Sequence, residues 1–152
     1  MIRLAKSNDF ENFERLYNDY NCEILYGYSQ NENVEIDDDF ITQLEEELKI
    51  SKEDFYHILC DRYQLIYMIE NDCETIGFVW LFQIKKNRWK LYSFSILPSY
   101  QDTETIMNII IILRTLVKEI DICSTSIDMC NILKDIEASS LSKFYYHINQ
   151  PK

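Results

Sequence analysis

The sequence predicts an α/β (α+β) domain: one mixed, mostly antiparallel sheet of about five strands with helices on both faces. Three observations predict it. Apolar residues recur at helical spacing up to residue 60, then give way at Gln64 to segments rich in β-branched and aromatic residues. Three such segments follow one another across short polar turns, the pattern of an antiparallel meander. Alternation within them is weak, as expected when both faces of a sheet are covered.

The elements follow in order. Residues 1–5 alternate loosely and read as a first strand. Asn8 and Glu11 have capping-box spacing, and Phe10, Phe13, Leu16, Tyr17 and Tyr20 recur at helical intervals, which predicts a helix over about 9–21. Phe40, Ile41, Leu44 and Leu48 give one apolar face to a helix near 38–49. Ser51 is placed to cap a third helix over 52–60, with Phe55, Ile58 and Leu59 facing inward. The meander occupies 64–70, 75–85 and 89–97, with turns at Asn71-Asp72 and Lys86-Asn87. In its last strand, alternation sets Tyr92, Phe94 and Ile96 on one side and Leu91, Ser93, Ser95 and Leu97 on the other. Residues 102–119 include the run 109–112, yet they pass without a turn signal and predict one buried helix. A strand over 120–127 and a last helix over 134–148 complete the order. No closing strand is expected after that helix, so the 120–127 strand is left as an edge that a second copy of the chain would cover.

The 152 residues suit one domain over 1–152, able to bury roughly 70% of its unfolded surface without disulfides or a structural metal. Against 15 Lys and Arg stand 26 Asp and Glu, a net charge of −11, which argues against binding nucleic acid through phosphates. Only two glycines occur, Gly27 and Gly77, which excludes a glycine-rich nucleotide loop. Residues 1–10 are polar and mixed in charge, so no signal peptide is expected. The longest apolar run, 109–113, falls far short of the ~20 residues that span a bilayer. A cytoplasmic protein with no membrane association is expected. Five cysteines (22, 60, 73, 123 and 130) never form a CxxC pair and have only His57 and His147 to assist them. No metal site is expected, and the cysteines read as reduced, small apolar residues.

Four stretches carry a family resemblance: Met1-Ile2-Arg3-Leu4-Ala5 with Asp9 beyond, Glu74-Thr75-Ile76-Gly77-Phe78-Val79, Ile96-Leu97-Pro98-Ser99-Tyr100-Gln101, and Phe144-Tyr145. In order and spacing, over about residues 1–148, the chain resembles a divergent member of the GNAT superfamily of acetyl-CoA-dependent N-acetyltransferases. The resemblance implies the GNAT fold, acetyl-CoA as cofactor, and acetyl transfer to a primary amine. It implies that Ile96, Leu97, Gln101, Asp102, Thr103, Glu104, Thr105 and Ile106 lie against the cofactor. It also implies that Tyr145 returns a proton to the departing thiolate. Packing accounts equally well for an aromatic residue on a terminal helix.

The chain departs from the superfamily where the fourth strand meets the long helix. There the pattern is Arg/Gln-x-x-Gly-x-Gly/Ala, and main-chain N–H groups at the helix start receive the coenzyme A pyrophosphate. Gln101 is kept, but Asp102, Glu104 and Ile106 stand where glycines are usual. On one reading Asp102 or Thr103 caps the helix and Glu104 complements its dipole. On the other, a modified loop still binds cofactor, although carboxylates repel a pyrophosphate and a self-capped helix offers fewer amides. The fourth strand also carries Ser93 and Ser95 where a carboxylate base is frequent, which leaves proton removal through water.

The acidic stretch 32–47 falls where the superfamily shapes its acceptor pocket. Glu35, Asp37, Asp38 and Asp39 would attract a cationic amine such as a polyamine, an aminoglycoside or a basic peptide, or they form a solvated face. Two functions therefore stand side by side. One is N-acetyl transfer to a small amine. The other is a non-catalytic GNAT-like domain that binds a basic protein partner through its acidic surface.

Overall fold

The computed structural model describes residues 1–20, 49–123, 134–135, 139–142 and 145–149. In chain order its elements are β1 (Ile2–Leu4), α1 (Phe10–Tyr20), α2 (Lys52–Cys60), β2 (Gln64–Asn71), β3 (Glu74–Lys85), β4 (Arg88–Ile96), α3 (Thr103–Leu116), β5 (Glu119–Cys123), β6 (Ser139–Ser142) and β7 (Tyr145–Asn149). The strands form one sheet in the order β1-β2-β3-β4-β5-β7-β6. Among the described residues only β4 and β5 run parallel, and the other pairings are antiparallel. A mixed, mostly antiparallel sheet with helices on both faces is thus the predicted class. Residues 38–48 of the helix predicted near 38–49, and the acidic stretch, lie outside the described residues.

Two apolar layers explain the weak alternation. On one face α3 sets Ile109, Ile110 and Leu113 against Tyr67, Val79, Leu81, Phe94, Ile96, Ile120 and Ile122. On the other, α1 and α2 set Phe13, Leu16 and Phe55 against Ile66, Met68, Phe78 and Trp80. Each strand in the middle of the sheet therefore buries both sets of its side chains. Ser51 caps α2 as expected: its Oγ accepts the Asp54 N–H at 3.0 Å, and the Asp54 carboxylate accepts the Ser51 N–H at 3.2 Å. Ahead of α1 the turn is closed by Asp9 rather than by Asn8. Its carboxylate accepts the Lys6 N–H at 2.7 Å and takes both terminal nitrogens of Arg3 at 2.8 and 2.9 Å.

The C-terminal part corrects the sequence reading. In place of the second half of a helix over 134–148 stand β6 and β7, so the sheet has seven strands rather than about five, and closing strands are present. The physical reason lies at β5. Ile120 and Ile122 need a covered edge, and β7 supplies ladder hydrogen bonds with Ile148 opposite Ile120. The alternation of β7, with Ile148 buried and His147 half-buried, fits a strand once that partner exists. The edge that called for a second copy is covered from within the chain.

A second correction concerns β4. Trp80 lies opposite Ser93, but its neighbour Leu81 lies opposite Leu91, so Tyr92 is an extra residue in the ladder. This bulge breaks the period of two. Leu91, Phe94 and Ile96 share the α3 face, while Tyr92 joins Trp80 and Phe82 on the α1–α2 face.

Candidate active site

The bulge stands where β4 and β5 part. Their parallel pairing consists of Arg88 with Glu119, Trp89 with Ile120 and Lys90 with Asp121, and it ends there. From Leu91 to Ile96, among the described residues, β4 is paired with β3 alone. A bulge bends its strand and adds twist, so it widens the gap beside it. Past that pairing the β4 edge and the end of β5 frame an opening in the ladder, and Leu91, Phe94, Ile110, Leu113, Ile120 and Ile122 line a small apolar cavity on its α3 side. An unpaired strand edge receives an extended, amide-bearing chain much as it would receive another strand.

The α3 N-terminus closes the mouth, because α3 leaves the end of β4 and returns to the start of β5. Ile96 is buried opposite Gly77, and Leu97 donates its N–H to the Ile76 carbonyl at 2.8 Å. The Gln101 side-chain amide donates to the Ile96 carbonyl at 2.9 Å, which ties the turn back to the strand. Asp102 is the N-cap of α3. Its carboxylate accepts the Thr105 N–H at 2.8 Å and the Thr105 hydroxyl at 2.7 Å. The bond from the Thr105 N–H, reinforced by the hydroxyl, holds the Asp102 carboxyl below the usual carboxylate range. Thr103 and Glu104 are exposed in the first turn, and Ile106 packs toward the α3-side core. An ionised carboxylate therefore sits where a helix start otherwise offers N–H groups to an anion.

Tyr145 opens β7, opposite Cys123 at the end of β5. It thus belongs to a strand rather than to a helix, yet the topology brings it to the same end of the sheet as the mouth of the opening. Glu35, Asp37, Asp38 and Asp39 lie outside the described residues. On the α1–α2 face Ser95 is turned into the protein, its hydroxyl donating to the Leu16 carbonyl at 3.0 Å, and Ser93 is buried beside it.

Two groupings escape sequence reasoning. Below the opening, Asp121 is only 1% exposed. Its Oδ2 takes Nε and Nη2 of Arg88, both at 2.9 Å, and its Oδ1 lies 2.6 Å from His147 Nδ1. Glu119 approaches the other nitrogen of His147 at 3.6 Å. This network ties β4, β5 and β7 together at the closed end of the gap. The signal in the chain is a lone carboxylate between Ile120 and Ile122, which a period of two places on the face away from α3. The second grouping is aromatic and gathers at Tyr92. Its partners come from another strand, so no spacing within β4 announces them. Nearby, burial, with a smaller contribution from Tyr92, pushes the Tyr17 phenol well above its usual range and keeps it protonated.

Among the described residues no helix is long and apolar enough to cross a membrane, and no group of three or more His, Cys, Asp or Glu side chains could hold a metal ion. No protein-family model matches the sequence, and comparison with curated proteins finds no match. Solved structures do match. PaiA N-acetyltransferase from Thermoplasma acidophilum, in complex with coenzyme A, superposes with a TM-score of 0.62 at 14% identity, over 100% of this chain and 98% of that one. Spermidine N-acetyltransferase from Vibrio cholerae, in complex with CoA and spermine, gives 0.66 at 14% identity, over 99% and 95%. An N-acetyltransferase from Staphylococcus aureus Mu50 gives 0.60 at 11% identity, over 99% and 98%. The chain has the GNAT N-acetyltransferase fold.

Proposed function

We propose that the chain takes acetyl-CoA in the β4–β5 opening and transfers its acetyl group to the nitrogen of a small amine, with a weakened hold on the cofactor diphosphate. What carries this reading is the opening itself: an unpaired β4 edge beside an apolar cavity, in a fold whose solved neighbours include a coenzyme A complex. The fit is uneven. The β4 edge suits the amide-bearing arm of coenzyme A, whereas Asp102, with Glu104 beside it, opposes the diphosphate. Acetyl-CoA supplies an acyl group activated as a thioester. Ile96, Leu97 and Gln101 to Ile106 would border it at the mouth. In the transfer the amine nitrogen bonds to the acyl carbon as the carbon–sulfur bond breaks. A cationic amine would lose one proton to water before it attacks and a second as the amide forms, and Tyr145 would return one proton to the thiolate and regain it from solvent. Glu35, Asp37, Asp38 and Asp39 would draw the cationic amine toward the site.

The Asp102 cap also favours a second reading, a non-catalytic GNAT-like domain that holds a basic protein on its acidic surface. Release of free thiol from acetyl-CoA in the presence of amines separates the two. Acyl transfer predicts slow, amine-dependent release that does not saturate at micromolar acetyl-CoA. No amine-dependent release at millimolar acetyl-CoA would leave the binding domain as the function.

A further inference from the structure

We propose that the cavity on the α3 side of the β4–β5 opening receives the end of the acyl chain, and that the donor taken best carries one carbon more than acetyl. For its chemistry this rests on the acyl-transfer reading. The amine nitrogen bonds to the acyl carbon as the carbon–sulfur bond breaks, whatever the chain beyond that carbon. The cavity has a cause in the backbone. A regular strand sets the side chains of one face two residues apart. At the β4 bulge Leu91 and Phe94 share the α3 face at a spacing of three, while Tyr92 and Ser93 stand on the Trp80 side. The extra stretch of main chain leaves a place on the α3 face with no side chain of β4 to fill it. Ile110 and Leu113 of α3 roof that place, and Ile120 and Ile122 of β5 flank it. What remains is a cavity of about 10 Å³, and among the described residues no polar atom lines it. That volume is at the limit for one water, which would find none of the polar partners it needs there. A small apolar group suits the cavity instead.

Its place in the fold ties the cavity to the donor. The parallel ladder stops at Lys90 and Asp121, and Leu91 and Ile122 are the next residues of the two strands. The cavity therefore lies where the strands part, not elsewhere in the α3-side core. A thioester arm that enters at the α3 start and lies along the β4 edge runs from Ile96 back to Leu91, ~16 Å of strand. Its acyl end is then brought to this point. Acetyl leaves the cavity unfilled, propionyl fills it, and a six-carbon chain exceeds it. One more buried carbon is worth roughly fourfold in affinity.

Calorimetric titration of the full chain with acetyl-, propionyl-, butyryl- and hexanoyl-CoA, without amine, tests the cavity. It predicts an optimum, with propionyl-CoA roughly threefold or more tighter than acetyl-CoA and hexanoyl-CoA no tighter than acetyl-CoA. Ile110→Val removes one methyl from the roof, a change that cores tolerate, and should move the optimum to butyryl-CoA. Ile110→Phe should fill the cavity and erase the propionyl advantage. Equal binding of acetyl- and propionyl-CoA, or an optimum that Ile110→Val leaves in place, overturns the proposal and reduces the cavity to a packing void. A steady rise through hexanoyl-CoA also overturns it, since a closed cavity sets a limit. Thiol release with an amine is read separately. The optimum without release upholds the cavity and defeats acyl transfer, whereas release indifferent to chain length defeats the cavity and upholds transfer. No thioester bound at millimolar concentration defeats both.

Discussion

Single side chains in this protein carry more than their types suggest. Asp121 is the clearest case, a buried carboxylate that holds Arg88 of β4 and His147 of β7 at once. Removing one member of such a group strands the others in a poorly solvated place. Asp121→Ala should therefore lower unfolding free energy by about 3 kcal/mol in urea titrations. A loss below about 1 kcal/mol would mean the network is no more than a surface pair. Asp9 acts at the other end of the sheet. The Arg3 guanidinium, which also binds Glu70, holds the Asp9 carboxyl below its usual value of 3.8. A depressed carboxyl contributes stability that is whole above pH 3.8 and is lost as pH falls through the lower, folded value. The denaturation midpoint should therefore fall steeply below pH 4, and Arg3→Met should flatten that fall. An unchanged acid slope in Arg3→Met would remove Arg3 as the cause.

At the scale of elements, what is legible in the chain is what depends on local pattern. The helix from Phe10, the capped helix after Ser51 and the three meander strands follow from periodicity and turn chemistry within short windows. The turn at Lys86-Asn87 is found there, with Asn87 in the left-handed region. The β2–β3 turn falls one residue later than its composition suggests, on Asp72 and Cys73, both of which have positive φ. What is illegible depends on a distant partner. Residues 139–142 and 145–149 form strands because β5 needs an edge covered, and Tyr92 leaves the alternation because β3 dictates the register. Gly77 shows the same dependence. A Cβ there would collide with the Ser95 carbonyl oxygen and lie 3.2 Å from Ile96 Cα, both main-chain atoms that cannot turn away. Gly77→Ala should force β3 and β4 apart and cost about 1–3 kcal/mol, read from the thermal midpoint. A variant as stable as the parent would mean the strands separate there without cost.

The whole molecule sets a fold shared with solved N-acetyltransferases against its own charge. Of the candidate site, the sequence makes legible the cap at the start of α3, where Asp102 stands in a recognisable stretch. The opening itself is not, because it arises from a bulge and a pairing that stops. On the proposed reading, a net charge of −11 and an ionised cap at the start of α3 would oppose an anionic cofactor both at long range and at contact. Screening should relieve part of this, so coenzyme A binding should strengthen as salt rises, opposite to the trend at a basic site. Asp102→Asn keeps an N-cap and removes the charge. Calorimetric titration of coenzyme A into the parent and Asp102→Asn tests the account most directly. It predicts weak binding by the parent and affinity roughly threefold or more higher in Asp102→Asn. Low-micromolar binding by the parent that Asp102→Asn leaves unchanged, or no binding by either protein, would contradict it.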